Sequence, residues 1–313
     1  MISVQQLFQK PWIWSYVGAI LIWLATVIFT SGQGGGAIIS AALSFATFTV
    51  IVGIGQMFVI STGPGNVDLS IPANIALSGV IAMKVMAVSN GMIPIGIAAA
   101  LASGFLVGVF NYSLIRLLKI PPIIATLSAS FLVISSAIAL SHGIKIKPPT
   151  MLADVATVRY FGIPLLAVIV IGFAALMSVL LSRSLYGRSV LAIGQNPRAA
   201  WLAGIPVEKV RFATYVLSAV LASLCGVLLA GFSGGAALNM GEEYLLASIA
   251  VVVIGGTSVA GGKANVPGIW GAALFMFLLV TMLNTFGASA GIRLIMTGLI
   301  IVGVITIAGG DEV

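Results

Sequence analysis

Long apolar runs, repeatedly interrupted by Gly, Pro or a charged residue, constrain this chain more than any other feature. They lie near 12–30, 37–61, 71–88, 92–115, 122–141, 163–182, 212–232, 245–257, 267–286 and 291–309. A helix needs about 20 apolar residues to cross the hydrocarbon of a bilayer. Most of these runs reach that length; those at 71–88 and 245–257 fall short. An all-α polytopic membrane protein with about ten transmembrane helices, eight at least, follows. The segment "GGTSVAGG" (255–262) after the shorter run reads as a broken helix or re-entrant turn. Only 7% of the 313 residues are charged, against about 25% in soluble domains, so a water-facing surface cannot be covered.

The net charge of +7 is spread thinly between the apolar runs. No basic stretch is interleaved with aromatics, and nucleic acid is excluded as a partner. Lys10, Arg116, Lys119, Arg183, Arg188, Arg198, Lys209, Arg211 and Lys263 fall on one side of a ten-span layout. Lys84, Lys145, Lys147, Arg159 and Arg293 fall on the other. Cations favour the cytoplasmic side of membrane proteins, which places both termini and residues 183–211 inside. Lys10 precedes an apolar run at Trp12 with no small-residue cleavage site after it, so a retained first span is expected. The one cysteine, Cys225, excludes an intrachain disulfide framework and reads as a small buried hydrophobe.

Glycine supplies 37 residues, many inside the runs, as close helix packing in lipid requires. Two stretches echo each other: "STGPGNVDLSIPANIALSGVIA" (61–82) and "FSGGAALNMGEEYLLASIAVVVIGG" (232–256). Each sets a Gly-rich polar break before a short apolar run. Paired interruptions of this kind mark a pathway at a repeat interface in many transporters.

The polar segment 183–211 stands out from its surroundings. Asn196 suits a helix N-cap, Pro197 the first helical position, and Gly204 the left-handed residue after the last turn. Between them Arg198, Ala199, Ala200, Trp201 and Leu202 form a short helix, too short to stand alone in water. It lies either in the headgroup region, with Trp201 among membrane lipid and Arg198 on phosphate, or against a soluble partner.

"YGRSVLAIGQNPRAAWLAGIPVEKVRF" (186–212) closely resembles the cytoplasmic loop of ribose-type permeases, the membrane subunits of bacterial ABC importers for simple sugars. "TGPGNVDLSIPANIALSG" (62–79), "LIRLLKIPPIIATLSAS" (114–130) and "IAVVVIGGTSVAGGKANVPGIWGA" (249–272) are similar to further stretches of that family. The resemblance implies a coupling helix at Asn196–Gly204 and two ATP-binding subunits on the inner face. It also implies a second permease subunit, identical or homologous, a periplasmic solute-binding protein outside, and residence in the bacterial inner membrane. At 63–70 the chain departs from the family's Gly-Gly-Ile-Asp-Leu-Ser by extra residues and Pro64, with Pro72 following. A same-superfamily solute, a branched-chain amino acid or a signalling furanose, stays open, as does an ion-coupled transporter.

Candidate path residues are Asn66, Asp68, Ser70 and Asn111. Asp68 is an acid between two spans, a functional signal by default, though an Asx turn or a cap for the helix near Ile71 suits it better. Asn111 suits a hydrogen bond between helices. Glu242 and Glu243 are expected at an outer mouth, preceding a helix N-terminus. His142 opens an outer loop (142–162) suited to contact with a binding protein, and lacks the neighbours of a metal ligand. A Walker loop needs Gly, four residues and Gly-Lys-Ser/Thr. Before Gly262-Lys263 that register carries Thr257, and Ala264 follows, so ATP chemistry belongs to another polypeptide. Ser128 and Ser130 have no elbow motif around them. No catalytic residue, metal or cofactor is expected.

Overall fold

The computed structural model describes residues 12–32, 34–141 and 147–309; Lys10, His142 and Lys145 lie outside them. Thirteen α-helices make up the fold among these residues. In chain order they are α1 (Ile13–Phe29), α2 (Gly35–Ile60), α3 (Ile71–Met86), α4 (Ile93–Leu117), α5 (Pro122–Ser141), α6 (Thr150–Thr157), α7 (Leu165–Arg183), α8 (Leu185–Gln195), α9 (Pro197–Leu202), α10 (Val207–Phe232), α11 (Tyr244–Ile254), α12 (Val266–Thr285) and α13 (Ala290–Gly309). A 3₁₀ turn at Asn90–Met92 precedes α4, and two-residue strands, β1 (Arg159–Tyr160) and β2 (Ile163–Pro164), pair antiparallel after α6. Each of the ten apolar runs carries one long or intermediate helix. Six are long and apolar enough to cross a membrane: α2, the 3₁₀ turn continued into α4, α5, α7, α10 and α12.

Proline fixes many of the starts. Pro72, Pro94, Pro197 and Pro267 sit in the first turns of α3, α4, α9 and α12, where the missing N–H costs nothing. The bundle is organised about α2 and α10, whose apolar windows are 61% and 67% buried, against 28% for α4, α5 and α7. The latter three therefore turn most of their apolar surface outward, as helices facing lipid do.

Small residues let the inner helices touch. A Cβ on Gly108 of α4 would stand 2.6 Å from Val216 Cα of α10. A Cβ on Gly226 of α10 would stand 2.3 Å from the Ile75 carbonyl oxygen of α3. Cys225, fully buried in α10, directs its thiol to the Phe48 carbonyl of α2 at 3.7 Å.

The two short helices explain the two short runs. α3 has 16 residues and α11 has 11, roughly 24 and 16 Å at 1.5 Å per residue. Gly241, just ahead of α11, packs so tightly on the start of α3 that a Cβ there would lie 2.2 Å from the Pro72 carbonyl oxygen. The segment after α10 therefore turns back into the bundle, and the two polar breaks noted in the sequence meet. "GGTSVAGG" is a turn, with positive φ at Gly256, Gly261 and Gly262, rather than a broken helix.

Candidate functional site

The break between α2 and α3 carries a buried polar cluster. Asp68, Ser70 and Asn111 are each at most 1% exposed, and Asn66 is 8% exposed. The Ser70 backbone N–H donates to Asp68 Oδ1 at 3.0 Å, which is the Asx turn expected of that residue. The Ser70 hydroxyl donates to the same oxygen at 2.6 Å, and the Ser218 hydroxyl of α10 donates to Oδ2 at 2.8 Å. Asn111 of α4 donates from Nδ2 to Ser70 Oγ at 2.7 Å and more distantly to Asp68 Oδ1 at 3.5 Å. Asn66 accepts from the Tyr215 hydroxyl of α10 at 3.3 Å. Three of the four path candidates thus form one network, and Asn66, in the same break, is held through Tyr215, three residues before Ser218 on α10. Asp68 does not cap α3; Ser70 holds the cap position, without a side-chain contact to the helix.

The network extends to residues that the sequence reading passed over. Gln56 of α2 accepts from the Asp68 backbone N–H at 3.2 Å, and Thr126 of α5 accepts from that of Leu69 at 3.0 Å. Gln56 Nε2 and Asn111 Oδ1 are buried without partners, leaving one donor and one acceptor open. Gln56 was findable, because it is the only amide in the 26 residues of α2. Ser218 was not: a serine inside a small-residue helix looks like packing.

Glu242 and Glu243 are exposed at the start of α11. Their neighbour Gly241 sits on Pro72, so these exposed acids lie next to the start of α3. Lys147 and Arg159 accompany α6 and the β1–β2 hairpin, so the described part of the loop expected outside carries secondary structure. Among the described residues no group of three metal-binding side chains occurs.

The polar segment 183–211 holds two helices where one was expected. Ser184 caps α8 by accepting from the Gly187 N–H at 2.9 Å, and α8 folds back on the end of α7. Asn196 then caps α9, its Oδ1 accepting from the N–H groups of Arg198 at 3.0 Å and Ala199 at 2.9 Å. Pro197 takes the first turn, and Gly204 has φ of +83°. Ala200 is buried against the core, whereas Trp201 is 66% and Leu202 72% exposed. Asn196→Ala should cost about 1 kcal/mol of local stability, read as faster hydrogen exchange at the Arg198 and Ala199 amides.

Beside α9 lies a cavity of about 600 Å³, lined by Arg116, Arg198, Trp201, Glu208, Lys209 and Arg211 among others. A second cavity, about 460 Å³, continues from Arg116, Glu208 and Arg211 past Tyr112 to Asn66. Arg116 pairs with Glu208 at 2.9 Å, and the Tyr112 hydroxyl donates to the same carboxylate at 2.8 Å. One acid against four cations leaves the face around α9 electropositive. Arg211 donates from a guanidinium N–H to the Thr62 carbonyl at 3.3 Å, tying the start of α10 to the break.

A multi-pass apolar bundle with a buried polar break and an exposed, capped helix on one end is the build of a membrane permease. The chain matches the family described as "Branched-chain amino acid transport system / permease component" over residues 38–305, and it belongs to that family. Similar proteins include the fructose import permease of Rhizobium meliloti, 30% identical over 262 residues, covering 80% of this chain and 72% of that one. The autoinducer 2 import system permease of Escherichia coli K12 is 29% identical over 249 residues, 77% of this chain and 75% of the relative. The ribose import permease of the same strain is 29% identical over 309 residues, 96% of this chain and 95% of the relative. No solved structure matches the chain. The chain is the permease subunit of an ABC importer, a class in which ATP hydrolysis resides in a separate subunit.

Proposed function

We propose that this subunit moves a simple sugar or a related polyol-like solute across the bacterial inner membrane. Ten spans, with both termini in the cytoplasm, put residues 183–211 on the inner face. Two ATP-binding subunits engage α9 there, a second permease subunit, identical or homologous, completes the pore, and a periplasmic binding protein delivers solute outside. The similarity to a ribose import permease over nearly the full length of both chains carries this reading.

The geometry supports the division of labour. Trp201 and Leu202 present apolar surface beside Arg198 and the basic cavity, and exposed aromatic and arginine side chains are the usual anchors of a protein contact. Asn66, Asp68, Ser70 and Asn111 supply hydroxyl, amide and carboxylate groups, the chemistry that recognises a sugar. Ser218, which binds Asp68, lies 11 residues into α10 from Val207, roughly 16 Å along the helix. That depth is near the middle of a bilayer about 30 Å thick in its core. When the ATP-binding subunits close, α9 moves and the packing around the break changes, exposing these groups alternately to each side.

Proteoliposomes holding the whole assembly test the reading. Labelled pentose or hexose should enter only with internal ATP and external binding protein. Uptake that persists without the ATP-binding subunits would mean ion coupling, and uptake confined to branched-chain amino acids would overturn the solute class.

A further inference from the structure

The short helix α9 does not end in a flexible tether. Immediately before it, Gly194 and Gln195 enter a junction of three chain segments that are remote in sequence. The Gly262 N–H donates to the Ser61 carbonyl at 3.1 Å, and the Gln195 side-chain amide donates to the Gly262 carbonyl at 3.5 Å. A Cβ on Gly194 would lie 2.0 Å from the Ser61 carbonyl oxygen and 2.2 Å from Gly262 N. A Cβ on Gly261 would lie 2.6 Å from Gly63 Cα. Backbone thus meets backbone at the end of α2, the end of α8 and the turn leading into α12.

We propose that this junction carries the displacement of α9 into the α2–α3 break, with Gly194, Gly261 and Gly262 as positioning residues for translocation. Side chains between packed elements absorb small shifts by changing rotamer. Here no side chain intervenes between Gly194 and Ser61 or between Gly261 and Gly63, so a shift of one segment must move the next. Four residues separate Gly63 from Asp68, and the second arm reaches the first turn of α12 through its N-cap residue, Asn265. A movement at the exposed end therefore reaches both the polar cluster and a central helix. Packed contacts that switch between discrete arrangements are how small shifts become large ones.

The inference rests on the docking of an ATPase at α9, and the experiment separates the two. In the reconstituted assembly, solute imported per ATP hydrolysed is measured for Gly194→Ala, Gly261→Ala, Gly262→Ala and Gly172→Ala. The first three should lower that ratio about tenfold or more while hydrolysis stays within about twofold, because forced overpacking shifts backbone rather than surface. Gly172, with nothing within 4 Å of an added Cβ, should behave as wild type. Arg198→Glu with Trp201→Ala should instead lower stimulated hydrolysis itself. Normal ratios in the junction variants overturn the proposal while leaving ATPase docking intact. Hydrolysis and import falling together, or failure of all three variants to assemble when Gly172→Ala assembles, reduces the junction to a folding contact and also overturns it.

Discussion

Asp68→Asn is expected to lower ATP-driven uptake by about tenfold or more, equivalent to about 1.4 kcal/mol or more, while the assembly still forms. Both carboxylate oxygens are engaged: Oδ1 by Ser70 and Oδ2 by the Ser218 hydroxyl. An asparagine oxygen can keep the Ser70 contacts. Its new N–H₂ group then faces Ser218, whose hydroxyl can turn to accept. Folding is therefore conserved, and a fall in uptake tests the proposed place of the Asp68 carboxylate in the path. Asp68→Ala removes every acceptor and strands two buried hydroxyl donors, costing about 2–4 kcal/mol. The thermal midpoint of the purified subunit should fall for alanine and hold for asparagine. An asparagine variant with undiminished uptake would make Asp68 a brace for the break and nothing more.

The second large effect belongs to α9. Arg198→Glu combined with Trp201→Ala should reduce binding-protein-stimulated ATP hydrolysis and uptake together by about thirtyfold or more, the loss of about 2 kcal/mol at an interface anchor. Trp201 is two-thirds exposed, and Arg198 is exposed on a helix capped by Asn196 and closed by the left-handed Gly204 after its last turn. The isolated subunit should therefore unfold within about 0.5 kcal/mol of the parent, as surface substitutions do. Pull-down of the ATP-binding subunits by the variant should fail in parallel. Normal hydrolysis and uptake in the double variant would leave α9 as an interfacial helix lying among lipid headgroups.

Much of this fold was legible because apolar run length and punctuation are local properties. All ten runs carry helices, and the cap residues Asn196, Pro197 and Gly204 occupy the positions their chemistry suggests. The short runs at 71–88 and 245–257 could be seen as short, but not why. Only the approach of Gly241 to Pro72 shows that the segment before α11 turns back into the bundle, and that contact joins residues far apart in the chain. α8 escaped notice because Ser184 alone marks its start and α7 ends one residue earlier. The polar cluster was half legible. Asp68 and Asn111 stand out in apolar surroundings, whereas Ser218 and Tyr215 acquire meaning only when α10 is laid beside the break. The glycines of the late turn read as a failed phosphate loop; their use lies in what they touch.

Cys225 offers a practical opportunity. The chain's sole thiol is sealed between α10 and α2, beyond the reach of water-borne alkylating or fluorescent reagents. The unaltered subunit is thus its own blank background for site-directed labelling. A cysteine introduced at an exposed position such as Trp201 can take a spectroscopic tag while the native thiol stays silent.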